Sequence, residues 1–154
     1  MPNIQIRFAT KKDASKIAKF NVFFAKATQG RKILLPVTEA GVKYVFETFN
    51  NGLYLVAESE NEIVGVALVM KEWSDWSNGF FYSIQDIFIL NAEKEDEINT
   101  LLFEKIKEIA NLDKDVCGLR IYLHESDLSR KSHYENIGFK KTKYQIYEVL
   151  NESL

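Results

Sequence analysis

Phe80-Phe81-Tyr82-Ser83-Ile84-Gln85-Asp86-Ile87-Phe88-Ile89-Leu90 is the longest strand-like run in this chain of 154 residues. We take it as the central strand and work outward from it. On its amino-terminal side, Leu53–Ser59 and Ile63–Lys71 are strand-like and flank the turn Glu60-Asn61-Glu62. This arrangement predicts an antiparallel hairpin that leads into the central strand.

The remaining elements follow from apolar periodicity and from capping and terminating residues. They are a strand over 4–8, a helix over about 11–28 capped by Thr10 and Asp13, a helix from Thr38 through Phe49, a helix over 93–112, a strand over 119–124, a short helix over 129–137 and a closing strand over 139–150. Pro36 is expected to keep Leu35 out of the second helix. The order β-α-α-β-β-β-α-β-α-β predicts an α/β (α+β) domain with an antiparallel meander followed by parallel pairing.

The amino-acid composition limits which classes of protein this chain can belong to. There are 22 acidic and 20 basic residues, a formal net charge of −2 and 46% hydrophobic residues, without repeats or linkers. We therefore expect one domain over 1–154, located in the cytoplasm, without a signal peptide, a membrane span or a nucleic-acid-binding face. The single Cys117 excludes an internal disulfide and a cysteine-rich zinc site, and we expect no metal.

Three segments, in their order along the chain, carry a family resemblance. They are Ile6-Arg7-Phe8-Ala9-Thr10 with Asp13 and Ile17; Ile63-Val64-Gly65-Val66-Ala67 followed by a Trp-containing loop and the central strand; and His133-Tyr134-Glu135-Asn136-Ile137-Gly138-Phe139. Together they resemble the GNAT superfamily of acyl-CoA-dependent N-acetyltransferases, and most closely its polyamine (spermidine/spermine, or diamine) branch. The resemblance implies a mixed, centrally splayed sheet of about six strands flanked by four helices.

The same resemblance implies a set of catalytic residues. Tyr134 corresponds to the general acid that protonates the leaving thiolate, a role that suits a phenol with a reference pKa of about 10. Asp86 corresponds to the carboxylate that faces the amine substrate. Gln85 stands where relatives carry Glu and cannot act as a base, so His124 is a candidate substitute. The alternatives are that Tyr134 packs against the sheet and that His124 is structural.

Acetyl-CoA is the implied cosubstrate, and two regions are expected to hold it. The backbone of Ile87, Phe88 and Ile89 would bind the pantetheine arm, although the side chains of these residues are also expected in the core. The pyrophosphate loop would correspond to Lys94-Glu95-Asp96-Glu97-Ile98-Asn99. This loop has no glycine and is strongly acidic, so we expect a degenerate, weakened site. The alternative explanation of this acidic run is that acids in the first turn of a helix stabilise the helix.

A second cofactor contact is expected at the helix that carries Tyr134. Asp127 stands where the family has a cofactor-holding Asn, and Arg130 and Lys131 could compensate by reaching the CoA phosphates. On the substrate side, Trp73, Asp75 and Trp76 are expected in a loop beside Gln85 and Asp86, because aromatic faces and carboxylates attract ammonium groups. The alternative is a hairpin loop anchored by its tryptophans.

The sequence thus predicts an N-acetyltransferase that transfers an acetyl group to a primary amine of a small cationic substrate, such as a polyamine. The alternative is a catalytically silent GNAT-like binding or scaffold protein that has lost acetyl-CoA. By resemblance we also expect a homodimer.

Overall fold

The computed structural model describes residues 3–48 and 50–153. Phe49, predicted near the end of the second helix, lies outside the described residues. The chain forms two compact units, one up to Tyr122 and one from Leu123. None of the helices in the described ranges is long and apolar enough to cross a membrane.

The first unit contains one sheet and three helices. Its elements are β1 (Ile4–Phe8), α1 (Ala14–Gln29), α2 (Leu35–Glu47), β2 (Gly52–Ser59), β3 (Glu62–Ser74), β4 (Gly79–Ile89), α3 (Glu95–Leu112) and β5 (Val116–Ile121). The five strands lie in the order β1-β2-β3-β4-β5. The pairs from β1 to β4 are antiparallel and β4–β5 is parallel. This confirms the predicted fold class, a meander followed by a parallel pair.

Helices cover both faces of the sheet in this unit. On one face, α1 and α2 pack on Tyr54, Val56 and Val66. On the other face, α3 packs through the fully buried Ile98. A Cβ at Gly65 of β3 would lie only 3.0 Å from Cγ2 of Ile98. The glycine therefore allows α3 to approach β3 closely at the position that pairs with Ile89, the last residue of β4.

Helix starts follow local capping chemistry. The backbone N–H of Thr10 donates to the Asp13 carboxylate over 2.8 Å, which forms the predicted capping box. Leu35 begins α2, contrary to expectation, with Pro36 in its first turn. A first-turn proline is tolerated because the N–H it lacks has no partner within the helix there.

The second unit contains α4 (Leu128–Asn136), and its described residues include no strand. The predicted closing strand over 139–150 is therefore wrong for this structure. The segment has the composition of a strand, but a strand exists only where a neighbouring strand supplies its ladder hydrogen bonds. The sheet accordingly has five strands where about six were expected.

Candidate active site

A β-bulge in β4 places the central acidic residue of the candidate site. Leu68 of β3 pairs with Asp86 and Val69 pairs with Ile84, so Gln85 is the extra residue in β4. A bulge bends its strand and re-aims the side chains beside it. The Asp86 side chain thus shares the sheet face of Leu68, on which α1 and α2 pack.

The Asp86 side chain is exposed to solvent. Among the described residues, none forms a hydrogen bond or ion pair with its carboxylate. The surrounding protein removes part of its hydration, which raises the pKa of this carboxyl. An exposed carboxylate without a partner is accessible to a cation from solution and attracts it.

Tyr54 on β2 lies near Asp86 and was not identified from the sequence. Its ring stacks on Phe46 of α2 at 5.6 Å between centroids, and Asn21 of α1 hydrogen-bonds its hydroxyl. Burial, and then the negative charge of Asp86, raises the pKa of Tyr54 to about 12. The phenol therefore stays protonated, and its polar end lies in the same region as the carboxylate.

Ser83 is a second residue that sequence reasoning did not single out. It pairs with Met70, two residues along β3 from the partner of Asp86, so both side chains lie on one face. Its hydroxyl is buried and has no hydrogen-bond partner among the described residues. A buried hydroxyl without a partner carries a desolvation cost, which a bound hydrogen-bonding group would relieve.

The end of β4 offers a backbone edge of the kind expected for a pantetheine arm. The β4–β5 ladder ends at Ile84–Ile121, whereas β4 continues to Ile89 beside β3. The N–H of Leu90 donates to the Val64 carbonyl over 2.9 Å. Because backbone groups alternate between the two edges of a strand, those of Phe88 also point to β3 and those of Ile89 point away from it. The expectation that Phe88 presents its backbone to the cofactor is thereby corrected, and its ring instead stacks on Phe24 at 4.8 Å.

The loop predicted to bind pyrophosphate is the amino-terminal turn of α3. A 3-10 turn over Ala92–Lys94 precedes the helix, and Ile98 and Asn99 within the first turns are buried. Several amides of this turn are already bonded: Glu93 N to the Asn91 side chain, Lys94 N to the Asn91 carbonyl and Glu95 N to the Ala92 carbonyl. The side chains of Asp96 and Glu97 are exposed and those of Lys94 and Glu95 are half-buried. These amide N–H groups therefore already bond to nearby groups of the chain, at the place where a phosphate was expected to bind.

The tryptophan region is not beside Asp86. Trp73 belongs to β3 and pairs with Phe80, five positions along β3 from the partner of Asp86, or about 16 Å of strand. Its ring contacts Phe80 edge-on at 4.9 Å. The odd-numbered residues Val69, Lys71 and Trp73 share one face, opposite that of Leu68 and Asp86. The predicted loop is shorter than expected, and it holds Asp75 and the 90% exposed Trp76 at the tip of the hairpin.

In the second unit, Tyr134 is a buried residue of α4, with 1% of its surface exposed. Its ring lies edge-to-face with His133 at 5.2 Å and with Phe139 at 5.4 Å. A phenol held between two rings has a fixed orientation, which suits both the predicted general acid and the packing alternative.

His124 is exposed, and its lone pair is already engaged. The backbone N–H of Ser126 donates to Nδ1 over 3.2 Å, and the Ser126 hydroxyl lies 2.7 Å from the same atom. In the neutral ring with an acceptor at Nδ1, the proton is on Nε2. This arrangement gives no support to His124 as the substitute base.

The three remaining predicted cofactor residues make contacts near the start of α4. Asp127 caps the helix by accepting from Arg130 N over 3.1 Å, and its carboxylate also pairs with Arg130 Nε at 3.5 Å. Lys131 Nζ donates to the Glu125 carbonyl over 2.7 Å. The capping role explains an acid at this place, because a carboxylate is a favourable N-cap. Among the described residues, acidic, His and Cys side chains form no group that could hold a metal ion.

Comparison with known proteins gives one family match and several structural matches. Residues 37–149 match the model of the acetyltransferase (GNAT) domain. A protein from Clostridium difficile 630, described as a possible acetyltransferase, is 33% identical, with 96% of this chain and 97% of that chain covered and a TM-score of 0.84. No curated protein matches the sequence significantly.

Two more distant solved structures share the fold. The aminoglycoside N-acetyltransferase AAC(6')-Iy, in complex with CoA, is 11% identical over 98% of this chain and 97% of that chain, with a TM-score of 0.76. An aminoglycoside acetyltransferase from an uncultured soil metagenomic sample, in complex with sisomicin, is 16% identical over 96% and 97%, also with a TM-score of 0.76. At these identities the similarity shows the fold alone.

Proposed function

The chain belongs to the acetyltransferase (GNAT) domain family, and on this premise we propose that it acetylates a primary amine of a small cationic substrate, such as a polyamine. Membership of the family makes it an acyl-CoA-dependent N-acetyltransferase that uses acetyl-CoA. The identity of the acceptor and the residues that serve it are our proposal.

The observation that carries the proposal is the solvent-exposed carboxylate of Asp86. It lies beside a bulge in β4, is partly desolvated and has no cationic partner among the described residues. A substrate ammonium group would supply that partner, and Tyr54 and Ser83 would add neutral hydrogen-bonding groups on the same sheet face. Such a site favours cationic amines over neutral ones.

The reaction needs three proton movements: loss from the ammonium group, loss from the new amide nitrogen and gain by the leaving thiolate. The ammonium group must lose a proton before its nitrogen attacks the thioester carbonyl, and Asp86, whose pKa is raised, is the group we propose as acceptor, directly or through water. The new C–N bond forms as the C–S bond breaks. By the resemblance, the Tyr134 phenol would protonate the leaving thiolate, and the second proton released from the new amide nitrogen would restore the phenol. Gln85 cannot accept the first proton, since an amide has no basic site at neutral pH.

For the cofactor, we propose that the Ile89 backbone edge binds the pantetheine amides and that the start of α3 meets the pyrophosphate. The acidic side chains Glu93, Asp96 and Glu97 are exposed at that turn, and each repels a phosphate charge by about 1 kcal/mol in water. We therefore propose a degenerate loop and weak acetyl-CoA binding. Complete loss of the cofactor, as in a silent scaffold protein, is not favoured, because the family assignment and the central-strand geometry agree with an enzyme.

The structural neighbours suggest which acceptors to test. Two of them are acetyltransferases of aminoglycosides, which are polyamines built on sugar rings. We therefore include an aminoglycoside beside spermidine, putrescine and a primary monoamine that carries no second charged group. The cytoplasmic location and the homodimer expected from the sequence stay predictions.

The test is a two-step measurement on the purified chain. Calorimetric titration of acetyl-CoA should show saturable binding, and thermal stability should rise with ligand concentration. Mass spectrometry of the amine panel should then show monoacetylation of a di- or polycationic amine. Absence of binding at millimolar acetyl-CoA would contradict the enzyme, whereas binding with acetylation of the monoamine alone would contradict the proposed substrate class.

A further inference from the structure

The side of α2 that faces away from the sheet is apolar and exposed. Its stripe consists of Leu34, Val37, Ala40, Gly41 and Tyr44, which recur at intervals of three and four residues. Leu34 and Val37 are 63% and 68% exposed, and Tyr44 is 54% exposed. The buried side of the helix carries Val42 instead. An apolar stripe that does not face the core indicates a surface that meets a partner.

The chain around this stripe is strongly basic. No acidic residue lies between Asp13 and Glu39, and the five basic residues in that interval are Lys16, Lys19, Lys26, Arg31 and Lys32. The interval therefore carries a charge of +5 and the rest of the chain −7, which together give the total of −2. Charge that is segregated in this way favours an anionic partner for this part of the molecule.

Three of these cations are available next to the stripe. Lys26 is exposed in the last turn of α1, and Arg31 and Lys32 are exposed in the loop that leads to Leu34. Among the described residues, no acid forms an ion pair with any of the three cations. Phe23, one turn before Lys26 on the outward side of α1, is 57% exposed. Cations and apolar side chains are therefore interspersed on one surface.

The two helices present this surface together. Both pack on the same face of the sheet, and the Ser15 hydroxyl of α1 donates to the Glu39 carboxylate of α2 over 2.7 Å, so their outward sides lie next to each other. The acids of α2 do not cancel the positive charge, because Glu39 pairs with Lys43 at 3.1 Å and Glu47 pairs with Lys11. The outward sides of α1 and α2 thus carry a net positive charge around an apolar stripe.

We propose that this outer surface of the two helices binds reversibly to the anionic headgroups of a phospholipid membrane. The surface, hereafter the α1–α2 surface, consists of Phe23, Lys26, Arg31, Lys32, Leu34, Val37 and Tyr44. The headgroup region suits both of its components, because lipid phosphates attract lysine and arginine and the layer beneath them takes up apolar side chains. A nucleic acid would use the cations and leave the apolar stripe in water. A flat bilayer also needs no groove on the protein, which suits the convex outer side of two helices.

The proposed contact is peripheral, so it requires no membrane-spanning helix. Each cation close to an anionic lipid surface strengthens binding about fivefold, and this attraction weakens as salt is added. Binding through a few cations and one short apolar stripe is therefore reversible and sensitive to salt. This inference goes beyond the acetyl transfer proposed above and does not depend on it.

Sedimentation with vesicles tests the contribution of the charges. The natural chain should bind vesicles of equal parts phosphatidylglycerol and phosphatidylcholine, should not bind vesicles of phosphatidylcholine alone, and should be released by salt. Arg31→Glu with Lys32→Glu should weaken binding about 25-fold or more, since each cation contributes about fivefold. The matched control is Lys107→Glu with Lys114→Glu, on α3 and just after it, where both side chains are exposed. It makes the same change in total charge and should leave binding almost unchanged.

The apolar stripe has its own test. Leu34→Asn with Val37→Asn keeps the charge, removes two exposed apolar side chains and should weaken vesicle binding about tenfold or more. A spin label at Val37→Cys, in a chain with Cys117→Ser, should become protected from a water-soluble relaxation agent when anionic vesicles are added. The same label at Lys107→Cys should stay accessible to the agent.

Several results would overturn the proposal. They are failure of the natural chain to bind anionic vesicles at low salt, a spin label at Val37→Cys that stays accessible to the agent, and a control pair that weakens binding as much as the pair in the loop. Tighter binding to polyglutamate or to duplex DNA than to the vesicles would assign the surface to another polyanion. A natural dimer that Leu34→Asn with Val37→Asn converts to a monomer in light scattering would assign it to a second copy of the chain.

Discussion

At the scale of single residues, Asp86 is the group whose charge the proposed chemistry requires. Asp86→Asn keeps the shape of the side chain and removes the charge. We expect KM for a cationic amine to rise about 10–100-fold, since a hydrogen bond to a charged group contributes about 1.5–3 kcal/mol, and kcat to fall because the proposed proton acceptor is lost. The affinity for acetyl-CoA should stay unchanged. Steady-state kinetics with calorimetry checks this, and Asp115→Asn, on an exposed loop, is the control. An unchanged KM for the amine would remove Asp86 from the site.

Arg7 and Asp13 form the residue-scale feature that most directly supports the fold. The Arg7 guanidinium contacts both Asp13 oxygens, at 2.8 and 3.1 Å, and also Glu58 at 2.7 Å. The hydrogen bond from Arg7 is the main cause that lowers the pKa of Asp13. Arg7, Asp13 and Glu58 together therefore join β1, the start of α1 and β2.

The lowered pKa of Asp13 predicts how stability depends on pH. The folded state binds fewer protons at this group than the unfolded state, so its stabilising contribution is complete above the unfolded pKa of about 3.9 and is lost as pH falls through the lower folded value. We expect Asp13→Asn to cost about 2 kcal/mol at neutral pH and to flatten the acid limb of the unfolding curve. Urea unfolding at a series of pH values tests this. An acid limb as steep as that of the natural protein would contradict it.

Residue-scale features of the site were only partly predictable from the sequence. Asp86 and the backbone edge ending at Ile89 are part of the proposed site through the resemblance to a family, and their roles stay predictions. Tyr54 and Ser83 were not identified from the sequence, because their place beside Asp86 depends on the bulge at Gln85, which shifts the β3–β4 register. A bulge changes the pairing of two strands. Here it occurs at Gln85, a residue type that is not characteristic of bulges, so local sequence patterns do not reveal it.

At the scale of elements, the contact between β3 and α3 rests on Gly65. Gly65→Ala would bring a Cβ to 3.0 Å from Ile98 and 3.3 Å from Ala57. We expect a loss of about 1–3 kcal/mol through overpacking, together with weaker acetyl-CoA binding, because the start of α3 would move. Gly41→Ala is the matched control, since nothing lies within 4 Å of its Cβ and helix α2 should gain about 0.5–1 kcal/mol. Equal effects of the two substitutions in thermal unfolding would contradict this account.

The acidic start of α3 gives a second element-scale prediction. The double substitution Glu93→Gln with Glu97→Gln should tighten acetyl-CoA binding about 30-fold, because it removes two repulsive charges of about 1 kcal/mol each, and the gain should shrink as salt is added. It should also cost α3 about 0.3–1 kcal/mol per acid through the helix dipole. Glu108→Gln, near the other end of the same helix, should leave binding unchanged. Unaltered affinity in the double variant would show that the phosphates bind elsewhere.

Elements were predicted best where periodicity was strong and local. All five strands of the sheet and all four helices were expected, and the helix that starts at Glu95 lies within the predicted range. The errors have physical causes. Trp73 was assigned to a loop, but cross-strand pairing with Phe80 extends β3 to Ser74. The segment 139–150 has a strand-like composition, yet composition does not state whether a partner strand is present.

At the scale of the whole molecule, the central claim is that this GNAT-family chain acetylates a cationic amine that is recognised by Asp86. The near-neutral total charge of −2 conceals two acidic features with opposite consequences. In the proposed function, the exposed acids at the start of α3 would oppose the anionic cofactor, whereas the exposed carboxylate of Asp86 would attract the cationic substrate. We therefore expect a high KM for acetyl-CoA and a reaction rate that depends markedly on the salt concentration.

The most direct test is acetyl transfer from acetyl-CoA to spermidine and to a neutral acceptor of similar length, measured by mass spectrometry for the natural protein, Asp86→Asn and Tyr134→Phe. The account predicts acetylspermidine as the main product of the natural protein, loss of the preference for spermidine in Asp86→Asn, and a lower kcat with little change in KM in Tyr134→Phe. Turnover of both acceptors at equal rates by the natural protein and by Asp86→Asn would contradict the central claim.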